Sequence, residues 1–386
     1  MDPEKKSIKQ AVSNHITLEN IFIGLAIILG IVVLINIFTA SAISKQIKEG
    51  KLIAEEKLKP AKIELTAVKN SKCTDCFDIS TAVSHIKNAN ANVTKENSLE
   101  FDSKDGRELV KKYGIRKVPS VIIKGEIEKI SIQGLEKNQD ALIFTQISPP
   151  FTNVETGKIE GRVILYYLKD SKCENCNNLT LLINQIKAGG VKVVEENGIE
   201  PGSDEGKQLI NKYKIEFVPT IVLSEDAGFY ELITQAWPQV GNRENNAYVF
   251  RGGAVYPAQP FINLTTGKLI GIVDIVYLAD KSCEECYDVN EHKDVLAKNF
   301  GIKFGKEETY DINDAKGREF ISRYNITKVP TVILSEDTGS YPSSPALKQF
   351  FSVEKDNSYV FRSAEALGTY RDLARNEIVK AEQVQQ

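Results

Sequence analysis

The stretch from Lys169 to Asn178, KDSKCENCNN, puts two cysteines three residues apart with Glu174 and Asn175 between them. Alone it fits a redox pair, half of a metal clamp or a structural staple. The rest of the chain narrows the choice, because all six cysteines fall in such pairs: Cys73 with Cys76, Cys173 with Cys176, and Cys283 with Cys286. A secreted disulfide framework spreads its cysteines between distant strands and loops, whereas here thiols serve only as one short local pair, used three times. A bond between residues i and i+3 closes too short a loop to gain much from restricting the unfolded chain, so it makes a poor staple. Zinc usually takes four ligands; each pair offers two, and none of the three histidines, His15, His85 and His292, adjoins a pair. Local thiol chemistry is the reading that remains, with no metal or organic cofactor expected beyond the redox-active disulfides.

The pairs sit in a repeat. The segments AKIELTAVKNSKCTDC, GRVILYYLKDSKCENC and GIVDIVYLADKSCEEC are each a β-rich apolar run ending in polar residues and then the cysteines. A second landmark follows the first cysteine by 46, 46 and 47 residues, at Pro119, Pro219 and Pro330 in ELVKKYGIRKVPSVII, QLINKYKIEFVPTIVL and EFISRYNITKVPTVIL. Leu109, Val110 and Tyr113, like Leu209, Ile210 and Tyr213, recur with helical spacing, and each proline opens a β-branched run where no ladder donor is needed. In the second copy VKVVEE, residues 191–196, supplies another strand. The expected order is strand, helix beginning at the cysteines, strand, helix, strand. Junctions are marked by FTNVETGKIEG and FINLTTGKLIG, residues 151–161 and 261–271, each after a proline-bearing turn.

With these landmarks in place the sequence resembles the thioredoxin superfamily over nearly all of residues 61–386, and its tandem arrangement is similar to protein disulfide isomerases. The segment KYGIRKVPSVII is very like thioredoxin's around its cis-proline. The resemblance implies an α/β fold of three tandem thioredoxin-like domains, each a mixed sheet flanked by helices. It implies cis bonds at Val118–Pro119, Val218–Pro219 and Val329–Pro330, packed against the cysteines and helping to bind extended substrates. The chain departs from the family pattern in having no aromatic residue before a pair and no Gly-Pro within one. At the offset of the family's buried acid stand Ala67, Tyr167 and Tyr277.

Read physically, a pair whose first cysteine lies at a helix N-terminus has its thiolate stabilised by unpaired N–H groups and the helix dipole. Cys73, Cys173 and Cys283 are then the exposed nucleophiles, and Cys76, Cys176 and Cys286 resolve the mixed disulfide. Asp75, Glu174, Glu284 and Glu285 oppose the thiolate, partly offset by Lys72, Lys172 and Lys281. If the acids prevail, the potentials lie nearer about −270 mV than about −120 mV on the family scale, the pair with Glu284 and Glu285 lowest. Tyr113, Tyr213 and Tyr324 read as core, and SEDAG and SEDTG, residues 224–228 and 335–339, as turns rather than calcium loops.

The 386 residues carry 26% charged side chains and a net charge of −3, which gives no reason to expect a nucleic-acid partner. From Asn20 to Ser44 there is no charge, and IFIGLAIILGIVVLINIF, residues 21–38, exceeds the 7 to about 15 apolar residues of a signal peptide and approaches the about 20 that span a bilayer. Lysine counts, with Lys5, Lys6 and Lys9 before the span and Lys45, Lys48, Lys51, Lys57 and Lys59 after it, favour a cytoplasmic C-terminal side. Long translocated domains override such small biases, so the modules are expected outside the cytoplasm. The expected organisation is a tail (1–19), a transmembrane helix (20–44), a charged stalk (45–60) and three modules (61–157, 158–267 and 268–386, the last with a C-terminal helical tail). The expected function is thiol-disulfide exchange or isomerisation on protein or peptide thiols, with an unidentified electron donor or acceptor. The alternative is a tandem thioredoxin-like scaffold whose disulfides stay closed.

Overall fold

The computed structural model describes residues 18–380; Lys5, Lys6, Lys9, His15 and residues 381–386 lie outside the described residues. One helix, Leu18–Leu58, carries the apolar span and the charged stalk without a break. Its stretch Ile23–Lys51 is long and apolar enough to cross a membrane, with nothing of it buried inside the protein. Phe38 is 78% exposed there, a position that water disfavours and lipid does not.

The chain divides into two compact units. One contains the residues up to Lys69 with Ile79–Tyr113 and Ser120–Gln146; the other contains Asn70–Asp78, Gly114–Pro119 and the chain from Ile147 onward. In the first unit a five-stranded sheet runs Ala91–Glu100, Ala61–Lys69, Ser120–Gly125, Ala141–Phe144, Leu135–Asn138. The first two strands are parallel and the remaining pairings antiparallel. Ile63, Leu65, Val121 and Ile123 fill its core with Ile86 from the helix Ser80–Asn88.

The second unit repeats that sheet twice. Val193–Ile199, Val163–Leu168, Thr220–Leu223, Ala247–Phe250 and Gly241–Glu244 make one copy. Lys303–Asp311, Ile272–Ala279, Thr331–Leu334, Tyr359–Phe361 and Phe351–Val353 make the other. A strand over residues 191–196 was expected, and one forms at Val193–Ile199. Central strands such as Thr220–Leu223 are buried at every position, as a sheet covered on both faces requires. The helices Thr180–Ala188 and Asp204–Tyr213, and Glu291–Phe300 and Ala315–Tyr324, flank these sheets. Fold class thus follows the expectation: three mixed sheets flanked by helices.

The second helix stops by the same local chemistry in all three copies and starts alike in the first two. Ser203 Oγ accepts the Gly206 N–H at 2.9 Å, as Ser103 Oγ accepts from Gly106 at 3.0 Å, the usual N-cap bond. At the far end Gly114, Lys214 and Asn325 all take the left-handed conformation that closes a helix. The tyrosines just before them, Tyr113, Tyr213 and Tyr324, are buried in the core as read from sequence.

One element departs from the expectation. The segment read as a C-terminal helical tail forms a strand hairpin instead, Tyr370–Asp372 with Glu377–Val379. Asp372 accepts the Arg375 N–H and Asn376 takes a positive φ, so a tight turn forms there in place of a helix. The boundaries placed near 157 and 267 fall at the turns of two similar hairpins, Phe151–Asn153 with Ile159–Glu160 and Phe261–Asn263 with Leu269–Ile270.

Glycine at the start of the second helix is a steric requirement. A Cβ on Gly206 would lie 2.1 Å from the Glu200 carbonyl oxygen, and Gly106 and Gly317 face Glu100 and Asp311 in the same way at 2.0 and 1.9 Å. Gly206→Ala is therefore expected to destabilise its module by about 1–3 kcal/mol, although alanine is the better helix former. Chemical denaturation of the variant beside the parent protein measures it.

Candidate active site

All three cysteine pairs are closed as disulfides, at S–S distances of 2.02, 2.06 and 2.02 Å. Val118–Pro119, Val218–Pro219 and Val329–Pro330 are cis, and Val118, Val218 and Val329 are buried. The pairs do not begin a helix. Helices start at Ser80, Thr180 and Glu291, at least four residues past the second cysteine, so the expected helix-terminus stabilisation of Cys73, Cys173 and Cys283 does not apply. A helix dipole acts only within its first turn. The physical reason lies in the residue after each pair, whose N–H is committed elsewhere: Phe77 donates to Pro150 O at 2.8 Å, Asn177 to Pro260 O at 2.7 Å, and Tyr287 to Thr369 O at 3.0 Å.

Those three carbonyls each precede a hairpin, which this bond holds beside the pair. Phe151–Asn153 pairs antiparallel with Lys117–Val118, Phe261–Asn263 with Phe217–Val218, and Tyr370–Asp372 with Lys328–Val329. The strand that leads into each cis-proline therefore has its edge filled by its own chain. Lys117 sits over the Phe151 ring at 4.3 Å and Lys328 over the Tyr370 ring at 5.3 Å. Phe217 packs on Phe261 at 4.7 Å, so an aromatic contact recurs in all three copies. Thr152 Oγ1 lies 3.9 Å from Cys76 Sγ and is fully buried.

The exposures of the cysteines differ from the expectation. Cys283, read as an exposed nucleophile, is buried, with 7% of its surface accessible, while Cys73 and Cys173 are half-buried. The second cysteines, Cys76, Cys176 and Cys286, are half-buried as well. Lys72, Lys172 and Lys281 are exposed beside the pairs.

Charges around the pairs are partly neutralised by the hairpins' far ends. Arg162 Nε donates to Asp75 Oδ2 at 3.1 Å with its Nη2 on the other oxygen, and this bond holds the Asp75 carboxyl below its ordinary range. Asp75 Oδ1 also lies 3.7 Å from Cys73 Sγ. Glu285 pairs with Lys380 at 2.8 Å, whereas Glu284 has no ion-pair partner among the described residues. At the offset of the family's buried acid, Tyr277 donates to Glu307 at 3.1 Å and Tyr167 Oη accepts the Leu179 N–H at 3.3 Å.

The turns SEDAG and SEDTG bind backbone. Asp226 Oδ1 accepts the Gly161 N–H at 2.7 Å and Asp337 Oδ1 the Gly271 N–H at 2.9 Å, while Tyr230 and Tyr341 donate to the carbonyls of the same glycines at 2.6 Å. Each of the first two hairpins is thus clamped by the module that follows it.

The sequence reading missed the third hairpin. YRDLARNEIVK, residues 370–380, follows FTNVETGKIEG in its signals: an aromatic residue, then Asn or Asp two positions on, then Val or Leu. Asn153, Asn263 and Asp372 use that side chain identically, each accepting turn N–H groups. It also missed Arg162, Arg371 and Tyr287, whose partners are distant in sequence.

Compared with known proteins, the chain matches no family model and no curated protein. Solved structures that align with it include human ERp44 in a zinc-bound form, at 12% identity over 81% of this chain and 84% of that one, with a TM-score of 0.16. ERdj5 form II aligns at 13% identity over 74% of this chain and 38% of that one, TM-score 0.15. A protein disulfide oxidoreductase from Aeropyrum pernix aligns at 16% identity over 44% of this chain and 78% of that one, TM-score 0.13. Scores this low carry no weight for fold or function. The class is defined by the chain itself: a cysteine pair after the first strand, a parallel second strand, and a cis-proline before an antiparallel third make each module thioredoxin-like.

One buried base stands close to the third pair. His292 is 5% exposed, packs edge-on against Phe361 at 4.4 Å and meets Tyr287 Oη at 3.2 Å. Burial lowers its pKa from 6.5 to about 4. The unfolded chain protonates this ring near its ordinary value while the folded chain refuses the proton, so stability is lost as pH falls from about 6.5 to about 4. The expected loss across that window is about 3 kcal/mol, and His292→Leu removes it. Urea midpoints of the third module's transition at pH 7 and 4.5 measure both.

Proposed function

We propose that the chain is a membrane-anchored thiol-disulfide oxidoreductase or isomerase acting on polypeptide thiols, with its modules outside the cytoplasm. The observation that carries this reading is the triple placement of a closed Cys-x-x-Cys disulfide in a thioredoxin-like module that also has a cis-proline strand. Further support comes from the apolar helix Ile23–Lys51 for the anchor. A groove of about 590 Å³ is lined by Asn177, the residue after Cys176 in the chain, though by neither cysteine, and also by Leu181 and Val255, 65% and 73% exposed. Such a surface suits an extended chain with apolar side chains better than a small polar thiol.

The chemistry follows from the closed state. A substrate thiolate attacks Cys173 Sγ; the Cys173–Cys176 bond breaks, a mixed disulfide forms, and Cys176 leaves as a thiolate that takes a proton from water. A second substrate thiolate then attacks the substrate sulfur of the mixed disulfide, releasing Cys173 as thiolate and leaving the substrate oxidised by two electrons. The same steps run backwards reduce a substrate disulfide, and capture followed by release on a different sulfur isomerises one. Cys73 with Cys76 and Cys283 with Cys286 have the parts for the same sequence. Burial of Cys283 favours the closed-scaffold reading for that one module.

Cys176→Ser removes the resolving thiol and leaves Cys173 free to hold a captured partner. The expected result is covalent adducts of the full-length variant with cysteine-bearing proteins, released by dithiothreitol and absent from the Cys173→Ser, Cys176→Ser double variant. If neither this variant nor Cys76→Ser nor Cys286→Ser accumulates adducts, exchange with polypeptide thiols is excluded.

A further inference from the structure

The three hairpins cover their cysteine pairs with different numbers of side-chain ties. In the third copy Arg371, opposite Val329 in the strand pairing, forms an ion pair with Asp280, three residues before Cys283. Asp280 is buried and Arg371 partly so, with side-chain exposures of 1% and 17%. Lys380 binds Glu285 inside the Cys-x-x-Cys loop, and Tyr287 Oη donates to the Pro330 carbonyl at 2.6 Å. In the first copy the position of Arg371 is held by Thr152, opposite Val118, which accepts from Asn70 at 3.0 Å, while Arg162, one residue beyond the position of Lys380, holds Asp75.

In the second copy those positions are Ile262, opposite Val218, and Ile272. Neither can bond to Asp170 or Asn175. Among the described residues the Asp170 carboxylate accepts only the backbone N–H of Lys172, two positions on, at 2.9 Å. The remaining tie over this pair is Asn177, whose amide donates to Pro257 O at 2.8 Å.

We propose that these ties grade the three disulfides, Cys173–Cys176 exchanging fastest and Cys283–Cys286 slowest, with Asp280 and Arg371 latching the hairpin as a self-docked strand over the third pair. An attacking thiolate must reach one sulfur in line with the S–S bond while the other departs. A strand that flanks the pair and is held to both of its sides blocks that approach until it shifts. Asp280 and Arg371 are positioning residues that act through the strand, not on the sulfurs. The proposal rests on the exchange reading above and ranks the sites within it.

The test uses the full-length oxidised protein in detergent micelles with glutathione as the attacking thiol. Reaction is stopped with acid at intervals, thiols are alkylated, and each pair is quantified by peptide mass spectrometry. Cys173–Cys176 is expected to open about tenfold or more faster than Cys283–Cys286, since a buried charged bond is lost in one and not the other. The double variant Asp280→Asn, Arg371→Thr installs the first copy's Asn–Thr pair without leaving a buried charge alone. It is expected to raise the third pair's rate toward that of Cys73–Cys76 and leave the other two rates unchanged, which also shows that the chain is folded. Ile262→Arg, which offers Asp170 a partner, is expected to slow the second pair alone.

Equal rates for all three pairs, or a third-pair rate unmoved by the double variant, overturn the proposal. This outcome is distinct from failure of the exchange reading. Graded glutathione rates without protein adducts in the resolving-cysteine variants would uphold the latch and sink polypeptide exchange, whereas adducts with equal rates would do the reverse.

Discussion

Two residues before each cis-proline, Lys117–Val118, Phe217–Val218 and Lys328–Val329, form a short strand at the edge of its module beside a disulfide. Backbone donors and acceptors at such an edge need partners, and a buried one left unpaired costs as much as a lost hydrogen bond. This chain supplies the partner from its own next segment. The rest of the architecture depends on that pairing. It pulls the carbonyls of Pro150, Pro260 and Thr369 against the residue after each cysteine pair, which delays the following helix. It also sets where the next module begins, because Gly161 and Gly271 at the hairpin ends are gripped by Asp226 with Tyr230 and by Asp337 with Tyr341.

The same pairing joins structure to reactivity. A thiol-disulfide centre needs access for an incoming sulfur, and a stable strand edge needs cover; the hairpin meets the second need at the expense of the first. The three copies resolve this with different side chains at the same positions. Thr152, Ile262 and Arg371 face equivalent valines, yet one makes a neutral hydrogen bond, one makes none, and one makes a buried ion pair. Burial works to raise the Asp280 pKa, but the Ser282 hydrogen bonds and Arg371 together hold it below its ordinary range. The carboxylate therefore stays charged at neutral pH, and the pair persists there.

Much of this was legible from the amino-acid order because it depends on near neighbours. The cysteine pairs, the proline landmarks at a nearly constant distance and the apolar runs are local patterns, and they led to three mixed sheets and three cis-prolines. The helix at the cysteines was misplaced for a non-local reason: polar residues after each pair permit a helix, but an N–H bond to a hairpin more than 70 residues away withholds it. The C-terminal hairpin was misread because YRDLARNEIVK keeps the hairpin's turn chemistry while exchanging its glycine for Asn376.

By itself the sequence determined the repeat, the fold class, the long apolar N-terminal segment and the positions of the six sulfurs, since spacing and apolar periodicity suffice to specify these. Only the tertiary structure decided how exposed each pair is and what is tied across it. Asp280 and Arg371 are 91 residues apart in the chain and Asp75 and Arg162 are 87 apart, and charges at such separations reveal nothing until strand pairing brings them within bonding distance.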